Sequence, residues 1–219
     1  RRMLQRAVRF EIERSVEYLN KNPRFSFAHT AAIFIDEGGK ATGRYSHPKS
    51  RKEGRIANQL ILGNFICNST VVARSEAVRK VGFFDESVFT PADWDMWLRL
   101  SVVGGAGYID EPLTQYRVTD NYIFNKFDLA RAQEEKILTV FFNRHPGLNG
   151  RLRSRAWSNF YLRFAQGYLV KNDKVQCQAM LGRAFKAWPF NLKLWMMVIW
   201  STVSAGTLKS NLTRRILRR

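Results

Sequence analysis

The chain has 219 residues, 45% of them hydrophobic and 25% charged, which is ordinary globular usage and argues against a disordered chain. Its charge is not ordinary: 36 Lys and Arg against 18 Asp and Glu give a formal +18. The first 127 residues hold 19 basic and 14 acidic groups, the remaining 92 hold 17 and 4, so the excess belongs to the C-terminal part and predicts an anionic partner there.

Two cysteines, Cys67 and Cys177, cannot make a disulfide framework or a zinc cluster. Both are expected to be reduced and buried, in a cytosolic setting. Arg1-Arg2-Met3 opens directly into a helical pattern, with no charged-then-apolar leader.

Leu4, Val8, Ile12, Val16 and Leu19 recur every three or four residues and predict an amphipathic helix, stopped by Asn22-Pro23. Phe25 to Ile35 is aromatic and β-branched, a buried strand ended by the turn Asp36-Glu37-Gly38-Gly39. Gly43 to Arg55 reads as a polar loop with Lys49, Arg51, Lys52 and Arg55, leading to a short helix. Asn64 to Val72 reads as another strand, and Ser75 as the cap of a helix ending near Gly82. Thr90-Pro91-Ala92-Asp93 has a capping residue, proline at the first helical position and a carboxylate at the third, so a helix is expected to run from there to Gly104-Gly105. Two short strands follow, Gly107 to Ile109 and Leu113 to Val118, around Glu111-Pro112. From Asp128 onward the pattern is helical, at about 128–144, 151–171, 174–188 and from about 191, with breaks at His145-Pro146-Gly147 and Trp188-Pro189. The expected units are therefore 1–127, mixed α/β, and 128–219, a basic helical extension.

Three segments in order, Val81-Gly82-Phe83-Phe84-Asp85-Glu86, Asp93-Trp94-Asp95-Met96-Trp97-Leu98-Arg99-Leu100 and Glu111-Pro112-Leu113-Thr114-Gln115-Tyr116-Arg117, resemble the C-terminal half of the catalytic domain of family 2 inverting glycosyltransferases. The resemblance covers about residues 1–125. It implies a partial GT-A fold, an incomplete mixed sheet with flanking helices, holding the acceptor side of a sugar transferase. A nucleotide-sugar would be the donor, a glycan or lipid-linked molecule the acceptor, and cell-surface polysaccharide the setting. The same resemblance implies a divalent metal (Mg or Mn) for a full enzyme, bound by an Asp-x-Asp motif after an apolar strand. No such motif is here: Asp93-Trp94-Asp95 falls at a helix start. The donor-binding half is also missing, so the chain reads as a fragment or a degenerate relative, the fragment being favoured, without transferase activity of its own, and no metal ligand is assigned.

By the resemblance, Asp93 matches the aspartate that takes the proton from the acceptor hydroxyl, and Ala92 stands where the family has glutamate. A helix N-terminus is expected to keep the carboxylate ionised, at a normal or lowered pKa. The plain alternative is a helix cap. Trp94 is a candidate for stacking on a sugar ring or a core residue, and Trp97 is expected in the core. Asp95 and Arg99 have the spacing of a helix-surface pair. Arg117 would neutralise a diphosphate or pair with Asp110 or Asp120, and Thr119 replaces a family histidine. Asn64, Asn68 and Ser69 would hydrogen-bond sugar hydroxyls or satisfy local backbone. His29, His47 and His145 lie in unrelated contexts and read as structural.

Leu194 to Leu208 is uncharged for fifteen residues. As a helix it spans about 22 Å, short of the ~30 Å hydrocarbon core. Flanked by Lys193 and by Lys209, Arg214, Arg215, Arg218 and Arg219, it would lie in a membrane interface or pack on protein. The second functional reading is therefore a non-enzymatic module that binds an anionic membrane surface through 128–219, at the cytoplasmic face. Nucleic acid is not favoured, because the aromatics cluster in apolar stretches and do not alternate with charges.

Overall fold

The computed structural model describes residues 2–44, 53–118 and 126–203, and among these the side chains of 10–43, 53–118 and 126–198. His47, Lys49, Arg51, Lys52, Thr119, Asp120 and residues 204–219 lie outside the described residues. Two compact units divide within one helix, the first ending at Ile137 and the second starting at Leu138.

The first unit is α/β, with a four-stranded mixed sheet and flanking helices. Its elements are α1 (Arg2–Lys21), β1 (Phe27–Ile35), β2 (Ala41–Arg44), α2 (Ala57–Leu60), a 3-10 turn (Asn68–Thr70), β3 (Val71–Ala73), α3 (Ser75–Val81), α4 (Ala92–Val103), β4 (Ala106–Arg117) and the start of α5 (Phe127–Arg144). β1 is bonded antiparallel to β3 at its beginning and to β2 at its end, and parallel to β4 along its length; these three strands are not bonded to one another.

Side chains of a strand alternate between faces, and β1 shows it. Ala28 packs with Leu19 and Phe25 beside Tyr18 of α1, and Thr30 donates to Glu11 of the same helix. Phe27, on the other face, stacks on Trp97 of α4 at 5.6 Å, and His29 lies between the rings of Phe65 and Tyr108. Helices therefore cover both faces of a nearly all-buried strand.

Several local expectations are corrected. α1 forms and buries Leu19 of the expected apolar stripe, but among the described side chains Glu11 and Ser15 join it inward while Ile12 and Val16 stay about half exposed. Asn64 to Val72 is not one strand, because the Asn64 side chain accepts from the Ile66 amide and the 3-10 turn follows, leaving only Val71–Ala73 extended. The two short strands around Glu111-Pro112 are a single strand, β4. Its twelve residues pair with nine of β1, and register breaks on either side of Ala31 absorb the difference, so the proline sits at an irregularity. β2, which was not expected and runs into the start of the predicted loop at Gly43, is held by the Asp36–Lys40 turn.

The expected capping box at Thr90 does not form. Pro91 precedes the first helical residue, Thr90 Oγ1 is buried without a partner among the described residues, and no side chain caps α4. The loop is fastened from elsewhere: Gln133 Oε1 of α5 accepts from the Phe89 and Thr90 amides at 3.1 and 2.7 Å. Ser75 is likewise the first helical residue of α3 and not its cap; Arg74 takes that place and donates to the carbonyls of Phe25 and Leu19. Gly105 has φ +70°, and a Cβ there would meet the Gly54 carbonyl at 2.6 Å, so the Gly104-Gly105 turn is fixed by a close backbone approach.

The second unit contains the end of α5, α6 (Gly150–Val170), α7 (Lys174–Ala187) and α8 (Leu192–Val203), close to the expected ranges. Asn149 caps α6 through the Arg151 amide, and Asp173 caps α7 through the Gln176 amide. α6 packs on α7, and Phe160, Phe164, Ala165, Cys177, Met180 and Ala184 of these helices are buried, as are Leu194 and Met197 of α8. No helix among the described residues is long and apolar enough to cross a membrane.

Candidate functional site

Asp93 stands in the first turn of α4, and Asn64 in the irregular segment after α2. The fold brings them together: Asn64 Nδ2 donates to Asp93 Oδ2 at 3.1 Å, across 29 residues of sequence. Asn64 Oδ1 accepts from the Ile66 amide at 3.0 Å, so the amide group is oriented at one end and presents its N–H to the carboxylate at the other. Main-chain N–H groups of Asp93 and Trp94 also favour the ionised form. Burial outweighs them and pushes the Asp93 pKa above its ordinary value. This corrects the expectation of a normal or lowered value: the helix N-terminus supplies donors, but the side chain has lost more hydration than they return.

The surroundings extend the cluster. Burial pushes the Cys67 thiol up, with further increments from the negative charges of Asp93 and Glu11. Burial likewise raises the Tyr116 phenol, with Cys67 and Asp93 adding to it. Asp93, Cys67 and Tyr116 thus lie within electrostatic reach of one another, with Asn64 bonded to Asp93. Glu11 adds a carboxylate that periodicity hid: it is buried at 8% exposure and accepts from Thr30 and Thr114 hydroxyls. A charged residue beside the predicted apolar stripe of α1 carried no signal of that burial, whereas an acidic residue on the inward side of a helix that faces two strand threonines could have been found had the stripe been placed correctly.

The other predicted residues are dispersed. Trp94 is a core residue and not a stacking surface, for it is 1% exposed and its indole N–H donates to the Leu60 carbonyl at 2.8 Å. Trp97 is buried against Phe27 and Phe84. Asn68 is exposed in the 3-10 turn. Arg117 ends β4 and donates to the carbonyls of Asp36 and Glu37, at 2.7 and 2.5 Å, so it fastens the β1–β2 turn; Asp110 is not its partner. Arg99 pairs with Asp95 at 2.6 Å and also donates to the Val81 carbonyl, tying α4 to the end of α3. His145 packs on Phe141.

The donors around Asp93 do not fit a divalent metal. One carboxylate stands with an amide, a thiol held neutral by burial and a phenol, and no group of three or more His, Cys, Asp or Glu side chains suited to a metal occurs among the described residues. What the pair can do is accept a proton: a partly buried carboxylate, oriented by an amide and more basic than a solvated aspartate, has the chemistry of a general base.

Compared with known families and with curated proteins, the chain matches no family model and no curated protein.

Proposed function

We propose that the first unit is the acceptor-side half of a GT-A-like inverting glycosyltransferase, with Asp93 as the base that takes the proton from the attacking acceptor hydroxyl. The observation that carries this reading is the Asn64–Asp93 pair: a burial-raised carboxylate held at 3.1 Å by an oriented amide. The motif resemblance points to Asp93 for that role, and burial raises its proton affinity, the direction a general base needs. Asn64 is its positioning residue, and Tyr116 and Cys67 are the neighbours that would line the acceptor's approach. Arg117 is spent on the β1–β2 turn, and Trp94 on the core, so neither enters the reading as a sugar contact. The donor nucleotide-sugar, and any metal that accompanies its diphosphate, would be held by residues other than those described.

The test combines binding and turnover. Residues 1–219 are titrated with a panel of glycans and lipid-linked oligosaccharides by saturation-transfer NMR, then incubated with nucleotide-sugars in the presence of Mg or Mn. Binding that weakens on Asn64→Ala but survives the isosteric Asp93→Asn, with no turnover, is the expected outcome. Sugar transfer by the chain alone refutes the fragment reading; acceptor binding indifferent to both substitutions refutes the site.

A further inference from the structure

The second unit has a charge that the sugar-transfer reading does not use. Residues 138–219 contain fifteen Lys and Arg and one acidic residue, Asp173, which is occupied as the cap of α7. Between α6 and α7 opens a cavity of about 420 Å³ lined by Arg153, Ser154, Trp157, Tyr161, Arg183 and Lys186. Its two arginines are held in place by aromatic and main-chain contacts. Arg153 lies 5.0 Å over the Phe142 ring and donates to the Phe142 carbonyl, and Arg183 lies 5.9 Å over Tyr161, which stacks on Trp157 at 5.7 Å. Three positive groups around a hydroxyl, with no carboxylate among the lining residues, suit a phosphate.

The cleft adjoins an apolar corner. Lys186 lines it, while its neighbour Phe185 turns to α8 and meets Trp195 edge-on at 5.6 Å. Phe190 and Leu192 are 79% and 73% exposed, and Met196 is 57% exposed. Trp195 keeps its indole N–H on the Pro189 carbonyl, so the ring is fixed with an exposed face. Fixed aromatics beside exposed aliphatics, rimmed by Lys186 and Lys193, match the composition of a surface that sits at the headgroup level of a bilayer.

We propose that the second unit docks on an anionic membrane, the α6–α7 cleft taking the phosphate headgroup of a lipid and the α7–α8 corner entering the interface. Charge complementarity and the adjoining apolar corner single out a lipid over a free phosphate, which would have no use for exposed Phe190 and Leu192. The proposal stands independently of the Asp93 reading. It places the contact on α6, α7 and the start of α8, where the sequence pointed to Leu194–Leu208.

The full chain is sedimented with vesicles of phosphatidylcholine alone or mixed with phosphatidylglycerol. The expectation is partition onto the mixed vesicles only. A basic group near such a surface is worth roughly fivefold in partition, so Arg183→Glu with Lys186→Glu should lower it about 30-fold or more. Lys171→Glu with Lys174→Glu, the same charge change at the other end of α7, should cost far less. Phe190→Ser with Leu192→Ser should leave low-salt binding and abolish what persists at high salt, where screening removes the electrostatic part. Circular dichroism of each variant confirms that it is folded. Equal losses from the two charge pairs, absence of partition onto mixed vesicles, saturable binding of glycerol 3-phosphate in solution through Arg183 and Lys186, or displacement from vesicles by a short DNA duplex would each overturn the proposal.

Discussion

Replacing Asn64 with alanine removes the side-chain donor that the Asp93 carboxylate has among the described residues. A hydrogen bond to an ionised acceptor contributes about 1.5–3 kcal/mol, and this one, at 3.1 Å and partly open to solvent, belongs at the low end of that range. A free-energy difference of about 1.4 kcal/mol is tenfold in a protonation equilibrium, so Asn64→Ala should shift Asp93 roughly tenfold toward its neutral form. The direction is fixed because the amide stabilises only the ionised state; without it, burial acts unopposed from that side. Carbon-13 NMR of the aspartate carboxyl groups, titrated from acid to neutral pH, reads this directly, with Asp93→Asn identifying the resonance. Two results would refute the reasoning: a wild-type midpoint at or below that of a solvated aspartate, or a midpoint in Asn64→Ala that falls or stays put.

Other substitutions test the same frame. Because folding raises the Asp93 pKa, the folded chain holds that proton more tightly than the unfolded one, and stability should decline as pH rises from the ordinary aspartate range through the raised value. Asp93→Asn should lack this decline, so urea melts of the two proteins should coincide in acid and diverge in the variant's favour toward neutral pH. Trp94→Phe should destabilise the first unit by about 2–3 kcal/mol, combining a lost hydrogen bond of ~1 kcal/mol with a ring-sized void; the Leu60 carbonyl keeps the Gly63 amide, which limits the cost. Arg74→Met should cost about 3 kcal/mol by chemical denaturation, since one guanidinium satisfies both the Phe25 carbonyl and the end of α1, and Arg74→Lys should recover only part of it. Gly105→Ala should lose more than ~1 kcal/mol, from the positive φ and the Gly54 contact together.

The helices of the second unit were legible because their apolar spacing and the breaks at Pro146 and Pro189 are local signals. β1 was legible for the same reason. What failed depended on partners distant in sequence. The capping box fails because Pro91 takes the cap position and Gln133, 43 residues on, takes the Thr90 amide that the Asp93 carboxylate would have served. Pro112 was read as a break between strands, but pairing along β1 carries β4 through it with bulges. α1 turned an unexpected face inward because Thr30 and Thr114 supply donors that make burying Glu11 tolerable. In the candidate site, Asp93 and Asn64 were both singled out, but their union, and the burial that reverses the expected pKa direction, could come only from the packed structure. Trp94 and Arg117 looked chemical because aromatic and cationic residues are versatile; the fold gives each a structural partner.

One strand, β1, carries the connectivity of the whole sheet: among the described strands, every other one reaches its neighbours only through residues 27–35. Native-state deuterium exchange should therefore find the slowest amides of the first unit here, released only by complete opening, while the margins exchange through local fraying. The same wiring predicts that the sheet opens as one, since detaching this segment leaves β2 and β3 without a strand partner and β4 with only its Gly54–Ala106 bridge.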